Sequence, residues 1–190
     1  MAQHRRQKRP SRPARRPHHS QPRRKSISDL TVRLPERRVE PETVIAHLGP
    51  TNSGKTHDAL RFLVENGRGV YAAPLRMLAQ EAHRRLAEEL RDGVGLVTGE
   101  ERINPDAPII CCTAEMAPMH GETLVLDEVQ WAEDEERGSA WTRLMLGGEY
   151  RNILLLGAVE ALPLVRHAFP QADVRFFERK APLEWVGKRG

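Results

Sequence analysis

From about residue 44 onward, short apolar runs alternate with longer amphipathic stretches. The runs at 44–48, 69–73, 94–98, 108–113, 123–126, 152–157 and 174–177 have the length and composition of buried strands. After the first run, residues 58–64 carry apolar side chains at helical spacing, and Gly67 follows as a stop. Leu75, Leu78, Ala79, Ala82, Leu86 and Leu90 share one face of a second helix, whose charged face is assigned to solvent. Residues 134–146 read as a third helix ending at Gly147 and Gly148, and 159–168 as a fourth with Pro163 inside it. Strand and helix alternate without internal repeats. That order predicts an α/β domain, a mostly parallel sheet with helices on both faces.

Chemistry enters at the joints of this pattern. Gly49-Pro50-Thr51-Asn52-Ser53-Gly54-Lys55-Thr56 matches G-x-x-x-x-G-K-[ST] and lies between a predicted strand and a predicted helix. Successive loop N–H groups and a helix N-terminus make a concave anion site suited to a triphosphate. Gly49 and Gly54 allow a close backbone approach, Lys55 can reach the β- and γ-phosphates, and the Thr56 hydroxyl can ligate Mg²⁺. The strand at 123–126 ends in Asp127 and Glu128, two acids at the carboxyl edge where open α/β sheets bind ligands. Alone, such a pair could equally be a helix-start signal; after a phosphate loop it reads as a Mg²⁺ ligand and a water-orienting base.

Charge divides the chain. Of 30 Lys and Arg, ten lie in residues 1–25 with no acid among them, so the remaining 20 face 26 acidic side chains, a net of −6. The overall +4 therefore belongs to a basic arm. With Pro10, Pro13, Pro17 and Pro22 and few apolar residues, the arm cannot bury enough surface to fold alone. It suits nucleic acid or another polyanion, with a solubility tail as the alternative. It lacks the apolar face of a transit peptide and the apolar core of a signal peptide. No run approaches the ~20 apolar residues of a membrane span. The two cysteines, Cys111 and Cys112, adjoin within a strand and should point to opposite faces, which argues core packing over a disulfide or zinc site. That usage suits a reducing compartment. The expected organisation is an arm and linker over 1–40, one domain over 41–180 and a tail over 181–190.

Seven blocks in order carry a family resemblance: 49–56, 71–81, 98–101, 113–116, 127–130, 137–147 and 157–161. Together they resemble the first motor domain of superfamily 2 DExH/D-type RNA helicases, nearest to the mitochondrial-degradosome (Suv-three-like) family, which also occurs in bacteria. The resemblance implies a RecA-like P-loop NTPase fold and an ATP hydrolase using ATP and Mg²⁺. It implies that Gly49, Pro50, Thr51, Asn52, Ser53, Gly54, Lys55 and Thr56 hold the nucleotide, with Thr56 and Asp127 on the metal. Lys55, Asp127, Glu128 and Gln130 would act in catalysis, Gln130 standing where related proteins keep His or Asp. Pro74, Leu75, Arg76, Thr98, Gly99, Thr113 and Glu115 would line a surface for RNA, with DNA as the alternative, through sugar and phosphate. Gly157 and Ala158 would couple nucleotide state to that grip.

Helicases of this kind have two lobes, the second supplying arginine fingers. The stretch 179–183 resembles the crossing into it, so the sequence is expected to be a fragment, a truncated product or half of a split enzyme. A second lobe or a ribonuclease is the expected protein partner. The expected compartment is the cytoplasm if bacterial, or the mitochondrial matrix. Two rival readings remain: a thymidine-kinase-like enzyme, whose zinc lasso Cys111 and Cys112 cannot build, and a nucleotide-gated RNA-binding module without efficient hydrolysis.

The arm yields a direct test. Deleting residues 1–25 should weaken RNA binding evenly across sequences. If some five arm cations meet phosphates, the slope of log K against log salt should fall by roughly 3 to 4, at about 0.7 per contact. An unaltered slope would leave the arm a solubility tail.

Overall fold

A computed structural model describes residues 37–179; the basic arm, most of the linker and the tail from residue 180 lie outside the described residues. Eight strands form one sheet: β1 (Thr43–Leu48), β2 (Gly69–Ala73), β3 (Val94–Val97), β4 (Arg102–Ile103), β5 (Ile109–Thr113), β6 (His120–Leu126), β7 (Glu149–Gly157) and β8 (Asp173–Phe176). Their order across the sheet is β4-β3-β5-β2-β6-β7-β1-β8. Every neighbouring pair is parallel except β3 with β4. Parallel pairing brings the carboxyl ends of β1, β2, β3, β5, β6 and β7 to one edge. Most of the sequence blocks lie at this edge or directly beyond it.

Two cores flank the sheet, as both-face burial of parallel strands requires. On one face α1 (Lys55–Asn66) and α2 (Arg76–Leu90) cover Ile45, Tyr71, Leu96, Cys111, Val125 and Leu154. On the other, α3 (Ser139–Gly147) and α4 (Leu162–Ala168) cover Ala46, Val70, Cys112, Leu126 and Leu155, with Trp141, Tyr150 and Phe169 filling the layer. Cys111 and Cys112 thus part to opposite cores, as strand alternation demands, and both are free thiols. Burial pushes the Cys111 thiol up to about 12. Among the described residues no helix is long and apolar enough to cross a membrane.

Several local expectations need correcting. Residues 134–138 are not helical. Asp134 Oδ1 instead accepts from the backbone N–H of Glu136 at 3.0 Å and of Arg137 at 2.8 Å, closing a turn before α3 begins at Ser139. Pro163 is not internal; it lies in the first turn of α4, where its missing N–H costs nothing. A short strand, β4, begins at Arg102 where no strand is predicted, and β6 and β7 start three residues earlier than their apolar runs. The packed body also begins ahead of residue 41. Arg37 donates from Nε to the Gly148 carbonyl at 3.1 Å, and its guanidinium lies 4.7 Å over the Phe169 ring.

Gly49 has a structural reason unlike the one its motif suggests. A Cβ there would sit 2.3 Å from the backbone oxygen of Phe177, just beyond β8. The close approach it permits is to the neighbouring edge segment, whose Phe177 N–H donates to the Leu48 carbonyl at 2.8 Å. Gly49→Ala should therefore cost about 1–3 kcal/mol by overpacking, read by urea denaturation. Gly99→Ala, where a Cβ meets nothing within 4 Å, is the control. Equal stability of the two variants would refute this account.

Candidate functional site

The candidate site is built from the segments that leave the carboxyl ends of the strands. Leaving β1, the chain turns through Gly49–Gly54 with φ of 60° at Asn52 and 92° at Gly54. Asn tolerates the left-handed region better than most side chains and Gly adopts it freely, so both suit this turn. Lys55, 9% exposed, opens α1. Its Nζ donates to the carbonyls of Gly49 and Pro50 at 2.7 Å each and to Ser53 Oγ at 3.4 Å. The cation is held by the loop it serves. Burial lowers the Lys55 pKa, while the nearby Glu128 and Asp127 push it back up.

Asp127 and Glu128 follow β6. Asp127 is 5% exposed. Its carboxylate accepts from the Tyr71 hydroxyl at 2.5 Å and from the Glu128 N–H at 2.9 Å. Its backbone oxygen accepts from Trp141 Nε1 at 2.9 Å. Burial lifts its pKa from the ordinary 3.8 to about 6; the Tyr71 hydrogen bond opposes that shift and the Glu128 charge adds to it. Glu128 has φ 51°, a strained value for a non-glycine residue, and it starts a short 3₁₀ turn over Val129–Glu133. Gln130 bridges two segments. Its amide donates to Glu128 Oε2, and its Oε1 accepts from the Ala158 N–H at 3.2 Å. The family resemblance points Gln130 toward another lobe; within this domain it ties the Asp127–Gln130 block to Gly157–Ala158.

These groups face one cleft of about 310 Å³ lined by Thr51–His57, Tyr71, Asp127 and Glu128. Leu78, Glu81 and Arg85 of α2 form its far wall. Sequence reasoning gives the charged face of α2 to solvent and misses the last two, because periodicity cannot tell a solvated charge from one beside a cleft. It misses Tyr71 as well, which is indistinguishable from a core aromatic. Loop N–H groups, a buried ammonium, a hydroxyl and two carboxylates in one cleft can receive a polyphosphate with a cation and present a base to water. A second cleft of about 250 Å³, lined by His47, Asp58, Arg61, Phe62, Arg175 and Phe177, opens on another face of α1.

The candidate nucleic-acid residues gather along the same sheet edge, yet Pro74, Thr98 and Thr113 are buried. The Thr98 hydroxyl is turned inward, accepting from the N–H groups of Glu100 at 3.3 Å and Glu101 at 3.1 Å. Leu75, Arg76, Gly99 and Glu115 are what these loops expose. Arg76 pairs with Glu100 and Glu115 with Arg137.

Comparisons with known proteins fit this geometry. The family described as the DEXQ-box helicase domain of Suv3 matches residues 32–177. A mitochondrial ATP-dependent RNA helicase SUV3 homolog of Caenorhabditis elegans is 39% identical over 176 residues, covering 85% of this chain and 24% of the relative. The mitochondrial ATP-dependent RNA helicase SUV3 of Saccharomyces cerevisiae is 43% identical over 142 residues, 70% of this chain and 19% of the relative. The chain thus spans about a quarter or less of these relatives' length. A solved structure titled a hypothetical ATP-dependent RNA helicase from Sulfolobus tokodaii shares the fold, with TM-score 0.56 and 14% identity over 71% of this chain and 48% of its own.

The buried aspartate makes a pH prediction. With a folded pKa of about 6 against an ordinary 3.8, Asp127 binds a proton more readily folded than unfolded. Its stability contribution is full below the ordinary value and is lost as pH rises through the folded one. Asp127→Asn should gain on the unaltered chain between pH 4 and pH 6.5, by up to about 3 kcal/mol. Urea denaturation at both pH values measures it. A difference that stays flat with pH would refute the burial account.

Proposed function

The chain belongs to the Suv3 family of DEXQ-box helicase domains, and we propose that it is the ATP-binding first motor lobe of an ATP-dependent RNA helicase. The observation that carries this is convergence: Lys55, Thr56, Asp127 and Glu128 come from two separated segments and line one cleft. Membership in the family displaces the nucleoside-kinase alternative. The lobe covers residues 41–180, after an arm and linker over 1–40 and before a stretch that resembles the crossing to a second lobe. The relatives' names carry a mitochondrial location, which agrees with the matrix alternative.

In this reading the triphosphate enters the turn of Gly49, Pro50, Thr51, Asn52, Ser53 and Gly54, where backbone N–H groups and the α1 N-terminus face it. Lys55 exchanges its loop carbonyls for phosphate oxygens. The residues suit Mg²⁺: it takes few protein oxygens and keeps several waters, and Thr56 and the Asp127 carboxylate line the same cleft. When bound, that ion neutralises charge on the β- and γ-phosphates. Glu128, steered by the Gln130 amide, orients the attacking water. Gln130 also grips the Ala158 N–H, so a change at Glu128 is felt at Gly157–Ala158. RNA crosses the edge formed by Leu75, Arg76, Gly99 and the loop at Thr113–Glu115, through backbone and phosphate contacts. A second lobe or a ribonuclease is the proposed protein partner.

Two variants and one addition test this. Lys55→Ala should abolish binding of a fluorescent ATP analogue while circular dichroism stays unchanged; unaltered affinity would sink the site. Tested alone, a single motor lobe should hydrolyse ATP slowly, since lacking an arginine finger from a second lobe costs 10³- to 10⁵-fold, or roughly 4 to 7 kcal/mol of barrier. Glu128→Gln should lower the remainder while nucleotide still binds. Adding a second lobe in trans should raise RNA-stimulated phosphate release. Brisk RNA-stimulated turnover without it would overturn the assignment of incomplete catalysis.

A further inference from the structure

Block 137–147 contributes no residue to the lining of the nucleotide cleft, and Arg137 is its first residue. Arg137 Nη2 donates to the Pro74 carbonyl at 2.7 Å, directly after β2. The same nitrogen donates to Glu115 Oε1 at 2.8 Å, and Nε donates to that oxygen at 3.2 Å, in the turn after β5. The guanidinium lies 5.0 Å over the Trp131 ring. Trp131 is itself fixed. Its N–H donates to the Glu128 carbonyl at 2.9 Å, and its ring stacks on Trp141 with centroids 5.8 Å apart. One side chain therefore joins two of the loops along the exposed edge and references both to the turn carrying Glu128.

The local chain is built to launch it. Asp134 Oδ1 accepts from the Arg137 N–H, and the Gly138 N–H donates to the Asp134 carbonyl at 3.0 Å. A Cβ on Gly138 would sit 2.5 Å from the carbonyl oxygens of Ala132 and Asp134, so this turn admits only glycine there. Arg143 adds a donor to the Glu115 carbonyl at 3.4 Å. An ordinary exposed ion pair contributes little. This one instead meets the carbonyl of a buried proline and a flat aromatic face, which a planar guanidinium can satisfy together and an ammonium cannot.

We propose that Arg137 is a positioning residue for nucleic-acid binding, holding the Pro74–Arg76 and Thr113–Glu115 loops at the spacing a single strand needs. The inference rests on the reading of this chain as an RNA-helicase lobe. It also assigns Glu115 a role distinct from touching RNA: a carboxylate repels phosphate, and here it is the anchor that Arg137 pulls against.

The test is the affinity of the full chain for a labelled single-stranded RNA at several salt concentrations, with Arg137→Ala, Arg137→Lys and Trp131→Leu. Affinity for a fluorescent ATP analogue and the thermal midpoint control for folding. All three variants should weaken RNA binding by about ten-fold, the scale of a lost charge-assisted hydrogen-bond set. Nucleotide affinity and the salt slope should stay as in the unaltered chain. Trp131→Leu removes the aromatic shelf and no charge, so it keeps the question open to refutation if Arg137→Ala folds poorly. RNA affinity unchanged in all three would overturn the inference alone. So would an Arg137→Lys that binds like the unaltered chain beside an Arg137→Ala whose slope falls by about 0.7, which is a direct phosphate contact. No RNA binding by the unaltered chain would overturn the helicase-lobe reading and this inference with it.

Discussion

Keeping an ionisable carboxylate away from water is costly unless other groups replace its hydration. Asp127 is where this domain does so. Its N–H donates to the Ala72 carbonyl of β2, its carbonyl accepts from Trp141 of α3, and its carboxylate accepts from Tyr71 and the Glu128 N–H. Strand β2, helix α3 and the turn after β6 are thereby registered on one residue. The hydrogen bonds recover part of the lost hydration, yet burial still governs the titration and raises the pKa. The same low polarity that makes the charge costly strengthens its attraction for a cation brought beside it. Stability is given up at the residue to which the proposed function assigns a cation.

How far the sequence discloses this depends on the range of the forces involved. The inner strands, α1 and α2 are legible because a parallel sheet buries both faces of its inner strands, leaving apolar runs that need no partner to be recognised. The phosphate loop and the Asp127–Glu128 pair are legible because their spacing is set by backbone geometry. β4 is not: Arg102 and Ile103 are exposed, and two residues pairing antiparallel to β3 leave no periodic signal. The non-helical start of 134–138 is decided by one side chain folding back on its own backbone, which competes with the helix its composition suggests. Gly49 matches its motif, but the atom that excludes a Cβ belongs to Phe177, far along the chain and adjacent only because β8 pairs with β1. The same holds for Tyr71, Arg137 and the Gln130–Ala158 link. Each is a partnership across strands, invisible until the strand order is known.

That strand order also brings the proposed catalytic and coupling segments to one edge. β7 lies between β1 and β6, so the loop after β1 and the acids after β6 flank the end of β7, where Gly157 and Ala158 sit. A Cβ on Gly157 would come within 2.8 Å of Val129 and 3.0 Å of the Gln130 amide oxygen. The segment after β7 is therefore packed directly against the acidic turn. Close packing with two discrete arrangements is the physical form coupling takes, and it requires no specialised wire.

The charge balance sets a further constraint, because the residues beyond the arm carry a net −6 and yet the proposed ligand is a polyanion. Net charge cannot supply that attraction, so it has to be local. α2 begins at the exposed Arg76, and its first N–H groups lack intrahelical partners; the 3₁₀ turn Ala114–Met116 follows the neighbouring strand β5. Such donors act over a few ångströms and only in the right orientation, unlike a diffuse positive field. Affinity then depends on how well the loops are held more than on how many cations they carry. That is the condition under which one arginine, engaged with a carbonyl, a carboxylate and a ring, governs binding without touching the ligand. The positive charge of the sequence is concentrated instead in the ten cations of residues 1–25, which carry no acid to oppose them.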